Sequence, residues 1–241
     1  MYEFLKNLFP KALIKKNESM LRKILSVFYI GNRFQCTVCD FEMSRFITSK
    51  KGDKLCPKCG SLSRTRRLWV LLKPKLNKTK ILHFSPSKSI RTRLASLTNI
   101  TYITTDYAGE FEAMKCLNIE AIDEPDNQYD VIICYHVLEH IENDQKAMQE
   151  LYRITKPGGI CIIQTPFKDG DIYEDSSLRT EQERLLHFGQ EDHVRIYSVE
   201  GLINRLSIAG FQTTTKTYEE RLDHKNGFSS NESVIIAEKR I

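Results

Sequence analysis

The chain of 241 residues has no apolar stretch long enough to cross a bilayer. Its longest, Ile24 to Ile30, has Ser26 inside it and falls far short of the ~20 residues a spanning helix needs. No secretory leader is legible. The first 25 residues carry lysines throughout and reach no small-residue cleavage site. The expected compartment is therefore cytoplasmic. Internal repeats and low-complexity tracts are absent. With 41% hydrophobic and 28% charged residues, the composition excludes a disordered chain and a collagen-like fibre. Acidic residues are scarce at the front: residues 1–75 hold 17 Lys and Arg against 5 Asp and Glu, and residues 76–241 hold 19 against 26. A basic front joined to an acidic body suggests two units with different surfaces. The basic part is either a solvated face or a surface for an anionic partner.

Seven cysteines in a chain of this kind are not expected to form disulfides. Four of them make two matched pairs, Cys36-Thr-Val-Cys39 and Cys56-Pro-Lys-Cys59, separated by sixteen residues. Two residues between thiolates let one tight turn present both sulfurs to a metal. Two such knuckles complete a tetrahedral four-thiolate site suited to structural Zn²⁺. Gly60 follows the second knuckle, where a positive φ is expected. Cys116, Cys134 and Cys161 lie in apolar surroundings and are expected in the core.

The apolar spacing predicts helices over 2–9 and 18–29, interrupted by Pro10. A basic amphipathic start of this kind either packs on its own domain or touches a membrane surface or partner. Residues 33–62 read as a zinc ribbon and 63–77 as a linking helix, with 1–32 a helical segment before them. From residue 78 to 241 strands and helices alternate. Strands are expected at 80–84, 101–105, 118–121, 130–135 and 160–165, then a closing pair at 211–218 and 232–238. Helices are expected at 88–97, 109–115, 142–155 and 198–209. The pattern predicts an α/β, Rossmann-like, doubly wound sheet, mostly parallel, with an antiparallel C-terminal hairpin.

Ligands of such sheets bind beyond the carboxyl ends of the strands. The first of these loops, His83 to Ser89, lacks glycine and carries Ser85, Ser87 and Ser89 where a glycine-rich loop would have it. Asp106, at the tip of the second strand, is placed to meet ribose hydroxyls or to cap a helix. Asn118 and Ile119 could read an adenine edge.

The stretch Tyr129-Asp-Val-Ile-Ile-Cys-Tyr-His136-Val-Leu-Glu139-His140-Ile141, followed by Leu151-x-Arg-Ile-Thr-Lys-Pro-Gly-Gly159, resembles class I S-adenosylmethionine-dependent methyltransferases of the type 11 group. The upstream run Cys56-Pro-Lys-Cys-Gly and the downstream run His187-Phe-Gly-Gln-Glu-Asp-His193 resemble a subgroup with an N-terminal zinc ribbon, associated with surface-polysaccharide genes. The resemblance implies that S-adenosyl-L-methionine is held by His83, Ser85, Ser87, Asp106, Asn118, Ile119 and Tyr135. It places Cys134 to His136 beside the sulfonium. His83 stands where the family usually has an acid.

His136-x-x-Glu139-His140 also matches an inverted zinc-peptidase motif, but a histidine directly after a buried strand does not fit one. The pair Glu139 and His140 either anchors a short helix or, as in methyltransferases with a similar E-x-x-E-H, holds a second divalent metal with His187 or His193. Residues 166–197 form a long insertion expected to act as a lid. His136 and His193 are the candidate catalytic bases, with His193 and Arg195 closing over the acceptor. The expected acceptor is a hydroxyl or carboxyl on a sugar or other small molecule. Two alternatives stay open: an RNA methyltransferase that holds RNA on the basic ribbon, and a non-enzymatic adaptor with a degenerate cofactor site. Against RNA, the chain lacks the N/D-P-P-Y/F motif of exocyclic-amine methyltransferases.

Overall fold

The computed structural model describes residues 11–49 and 52–241, with side chains from residue 17 onward. The helix expected over 2–9, and Pro10, lie outside the described residues. The chain divides into two compact units. The first comprises Met1–Leu76, Ser87–Leu97 and Glu219–Glu232; the second comprises Asn77–Pro86, Thr98–Tyr218 and Ser233–Ile241. Two segments from later in the chain thus belong to the unit that contains the cysteine pairs.

The first unit opens with α1 (Lys11–Ser26) and a 3-10 turn, Val27–Tyr29. Short antiparallel pairs follow: β1 (Ile30–Gln35) with β2 (Glu42–Met43), and β3 (Ile47–Thr48) with β4 (Lys54–Leu55). The linking helix expected within 63–77 is α2 (Ser63–Leu72). Its Arg66 is fully buried. The guanidinium donates to the carbonyls of Lys54 at 3.0 Å, Ser61 at 2.6 Å, Asn226 at 2.7 Å and Gly227 at 2.6 Å, and lies 4.4 Å over the Phe46 ring. A buried cation is tolerated because its donors are satisfied. The helix α3 (Lys88–Ala95) also belongs to this unit.

The second unit is built on β5 (Lys80–Phe84), β6 (Thr101–Thr105), β7 (Tyr129–Tyr135) and β8 (Thr155–Gln164). The helix α4 (Asp144–Ile154) joins β7 to β8. The insertion contains β9 (Tyr173–Glu174), α5 (Glu181–Phe188) and β10 (Arg195–Ile196), and α6 (Val199–Ile208) leads to β11 (Gln212–Glu219) and β12 (Asn231–Glu238). The six-stranded order is β11-β12-β8-β7-β5-β6, with β6, β5, β7 and β8 parallel and β12 antiparallel to β8. This is the Rossmann-like sheet the alternation predicts. Buried Leu82, Ile132, Cys134, Cys161 and Ile163 of the strands form one core with Met148 and Leu151 of α4 and Leu202 and Leu206 of α6. The central strands β5, β7 and β8 carry buried apolar runs because both faces are covered, whereas the edge strand β6 is partly exposed.

Two expected elements do not form. Residues 109–115 are not a helix, and 118–121 are a turn, not a strand. The Met114 and Leu117 N–H groups bond the hydroxyls of Thr104 and Thr105, and Lys115 forms an isolated bridge with Thr105 inside the segment expected to be helical. The Asn118 side chain accepts from the Glu120 N–H at 2.9 Å, a local bond that favours a turn over a strand. Cys134 and Cys161 are buried as expected, but Cys116 is exposed. Among the described residues no helix is long and apolar enough to cross a membrane.

Candidate functional site

The chain runs from β5 outward to β6, then returns to the far side of β5 as β7, so strand order reverses between β5 and β7. A cavity of about 400 Å³ opens at the carboxyl ends of these strands. That lies within the range of small-molecule sites, roughly 300–1,000 Å³. Ser85 follows β5, Asp106 follows β6 and His136 follows β7, and all three line it. Ser85 and His136 have φ of +47° and +54°. Left-handed backbone at a residue with a Cβ costs about 1–3 kcal/mol and is concentrated at functional sites. Asp106 is buried, and its carboxylate accepts the Ser85 hydroxyl at 2.7 Å and the Phe111 N–H at 3.2 Å. One carboxylate therefore fastens the first loop to the second.

Of the expected cofactor residues, Ser85, Asp106, Asn118 and Ile119 are brought together here, with His136. Three others do not line the cavity. His83 points into the sheet, where its Nδ1 meets the Tyr102 hydroxyl at 3.0 Å and burial lowers its pKa to about 3. Ser87 lines a cavity of the first unit. Tyr135 ends β7 away from the lining. Tyr107, Phe111, Arg184 and Asp192 line the cavity without having been singled out in the sequence. The first two are aromatic residues in a polar loop, a signal that could have been used. Nothing local marks Arg184 or Asp192, which the insertion folds into place.

His136 Nδ1 lies 3.2 Å from Glu139 Oε1, while His136 Nε2 and Glu139 Oε2 are buried without hydrogen-bond partners. Burial pushes the Glu139 carboxyl up, but the bond and charge of His136 outweigh it and hold the pKa below the ordinary value. The ligand atoms of Glu139, His140 and His193 lie within 4.8 Å of one another. Asp192 holds His140 Nδ1 at 2.9 Å, and the two imidazoles meet edge to face at 4.7 Å. Burial lowers the pKa of His193 despite the nearby Glu139. The Val194 N–H donates to the Glu139 carbonyl at 2.9 Å and ties the insertion to the loop after β7.

The expected partner of His193 has a different setting. Arg195 is buried, donating to Glu174 at 2.9 Å and to the carbonyls of Leu138, Ile141 and Glu142. Its donors are spent on holding the insertion against the loop after β7. His187 is not with the other histidines; its Nδ1 meets the Tyr173 hydroxyl at 2.7 Å.

In the first unit, Cys36, Cys39, Cys56 and Cys59 converge with their sulfurs within 4.8 Å of one another. The Cys36–Cys59 and Cys39–Cys56 separations are 3.7 Å. The two knuckles repeat one geometry. The Cys36 and Cys56 N–H groups bond the Phe41 and Ser61 carbonyls, and the residues after Cys39 and Cys59 are left-handed, Asp40 at +56° and Gly60 at +75°.

Three comparisons bear on these sites. A ubiquinone biosynthesis O-methyltransferase of Rickettsia bellii is 55% identical over 42 residues, 17% of this chain, and the match spans only 18% of that relative's length. A SAM-dependent methyltransferase structure from Archaeoglobus fulgidus aligns over 73% of this chain and 93% of its own, with TM-score 0.54 and 18% identity. A Haemonchus contortus phosphoethanolamine N-methyltransferase, solved with S-adenosylhomocysteine, aligns over 73% of this chain and 53% of its own, with TM-score 0.51 and 14% identity. At such identities the structures show a shared fold. The methyltransferase-domain family matches residues 64–216, well over half of the chain, across the four parallel strands β5 to β8 and the cavity at their switch point. The chain belongs to the methyltransferase-domain family.

Proposed function

We propose that this protein transfers the methyl group of S-adenosyl-L-methionine to a hydroxyl or carboxyl on a sugar or other small molecule. The observation that carries the reading is the cavity at the β5/β7 switch point with Asp106 buried in its wall. The cofactor supplies a methyl group on a sulfonium, a carbon already activated for in-line displacement. Asp106 accepts from the ribose hydroxyls, because a carboxylate with two oxygens has lone pairs beyond those that Ser85 and Phe111 use. Asn118, Ile119 and Leu117 form the wall for the base. For a hydroxyl acceptor, His136 removes the proton. Its Nδ1–H donates to Glu139, which fixes the tautomer and leaves Nε2 as the base. Glu139 then stabilises the imidazolium. A carboxylate acceptor needs no such base.

The orphaned Glu139 Oε2 beside His140 and His193 also fits a divalent cation, and Asp192 orients His140 for it. A cation there would lower the pKa of an acceptor hydroxyl. In the first unit, the four convergent thiols support structural zinc, with no position left open for chemistry.

The test is transfer of labelled methyl from the cofactor to the low-molecular-weight and RNA fractions of a cell extract. Label should enter the small-molecule fraction. His136→Gln should lower turnover on a hydroxyl acceptor by about 10²–10⁴ with S-adenosylhomocysteine affinity intact. Label confined to RNA refutes the acceptor class, and no binding of S-adenosylhomocysteine refutes the reading itself.

A further inference from the structure

A second cavity, of about 480 Å³, lies wholly within the first unit, between α1, the cysteine knuckles and α3. Five cationic side chains line it, Arg22, Lys23, Lys58, Lys88 and Arg93, against the single acid Glu18. The hydroxyls of Ser87 and Ser89 lie on the same wall. We infer that this cavity binds a small molecule bearing a phosphate or diphosphate group. The inference does not depend on methyl transfer.

The cations divide into two sets. Arg22 pairs with Glu18 at 2.8 Å, and Arg93 with Asp40 at 3.1 Å. Arg22 also packs its guanidinium against the second knuckle, about 3.0 Å from where a Gly60 Cβ would stand. Buried Arg66 feels the charge of all four cysteines. A zinc–tetrathiolate centre would carry two net negative charges, of which Arg66 offsets one, since Arg22 is already paired with Glu18. Lys23, Lys58 and Lys88 then bring three positive charges against the one that remains, an excess of two. Among the described residues none of the three has a carboxylate partner; Lys58 only lies 5.4 Å over the Phe41 ring. Three lysines lining one concavity give it a surplus of positive charge that attracts an anion. Lysine suits phosphate, because it offers a compact charge with freely turned donors.

The shape selects within that class. A flat basic face would track a polymer backbone, whereas a half-open recess of this volume admits a ligand of roughly mononucleotide size. Val38 and the lysine stems give it an apolar side on which the organic part of such a ligand can lie. The phosphate oxygens would take the ammonium groups and the serine hydroxyls.

The experiment is calorimetric titration of the zinc-loaded full chain with inorganic pyrophosphate and with uridine diphosphate, at low salt because exposed charge is screened. Both should bind, and the double variant Lys23→Gln/Lys88→Gln should weaken binding at least tenfold. Zinc content and thermal stability should stay at the wild-type level. Uridine diphosphate bound more tightly than pyrophosphate indicates a phosphorylated metabolite as the ligand. Equal affinities indicate recognition of the diphosphate group alone. The inference is overturned if neither ligand binds up to about 5 mM, a contact worth less than ~3.1 kcal/mol, or if the variant binds as well as wild type. It is also overturned if the variant loses its zinc, which would make the lysines part of the ribbon. Binding of a single-stranded RNA without binding of either diphosphate would replace this ligand class with another.

Discussion

Replacing Asp106 by alanine separates a binding carboxylate from one that only shapes a loop. The Asp106 carboxylate accepts the Ser85 hydroxyl and the Phe111 N–H and lines the switch-point cavity. Hydrogen bonds to a charged acceptor are each worth about 1.5–3 kcal/mol. Loss of the ribose contact alone should therefore weaken S-adenosylhomocysteine roughly 10- to 150-fold. Loss of the two internal bonds should lower the melting temperature by several degrees, at ~2–4 °C per kcal/mol for a chain of this size. The affinity is best read by isothermal titration well below the variant's melting point. Ser85→Ala is the control, since it removes the 2.7 Å bond that orients the carboxylate and keeps the charge. It should cost less, on the order of two- to tenfold. An Asp106→Ala affinity within twofold of wild type would refute the placement of the ribose, as would a Ser85→Ala defect larger than that of Asp106→Ala.

Other perturbations probe the frame around the sites. Cys56→Ser should abolish the binding of about one zinc per chain and lower solubility; stoichiometric zinc in the purified variant would count against the four-thiolate reading. Arg66→Met strands four buried carbonyls, of Lys54, Ser61, Asn226 and Gly227. It should cost about 3–5 kcal/mol in urea unfolding, and a loss under ~1 kcal/mol would mean that water replaces the guanidinium. His83 is held neutral by burial, with a folded pKa of about 3. The unfolded chain therefore takes up the proton first. The stability that His83 contributes is complete above about pH 6.5 and falls toward pH 3, by up to ~1.4 kcal/mol per pH unit. His83→Gln should flatten that part of the profile, and equal slopes for the two proteins would show that His83 does not titrate on unfolding.

How legible the molecule is depends on the range of the interaction that fixes each part. The strands at 80–84 and 101–105 fall where they are expected, the first because burial leaves a continuous apolar signature and the second because Thr, Tyr and Ile favour extended backbone. The four cysteines converge as their spacing requires, since each knuckle is a local turn. Asp106 could be located because it terminates such a strand. The segment 109–121 misled because its path is set by β6: the Thr104 and Thr105 hydroxyls and the Thr104 carbonyl take the N–H groups of Met114, Lys115 and Leu117. Arg195 misled for a similar reason. A cation in a lid suggests a substrate, yet its partners are three carbonyls around residue 140 and Glu174, none of them near it in sequence. The grouping of Glu139 and His140 with a histidine of the insertion is legible, but only the fold-back of the insertion selects His193 over His187.

The glycine-free first loop is the least expected feature of the sequence, and its geometry gives it a physical account. The position after β5 is left-handed, at φ +47°, so the backbone demand that favours glycine is present. Serine meets it at a cost of about 1–3 kcal/mol. In return its hydroxyl reaches the Asp106 carboxylate at 2.7 Å, a charge-assisted bond that glycine cannot make. The two contributions are of similar size, so the substitution is close to neutral for the fold while it orients the acid. His83 has an equally local explanation: it lies inside the sheet against Tyr102, where an acid would be buried without a cation. Serine for glycine therefore does not by itself argue for a lost cofactor site. Ser85→Gly makes the point measurable. It should leave stability within about 1 kcal/mol of wild type and weaken S-adenosylhomocysteine by the same two- to tenfold as Ser85→Ala. Tighter binding in Ser85→Gly would show that the hydroxyl hinders the ligand and that the loop is degenerate after all.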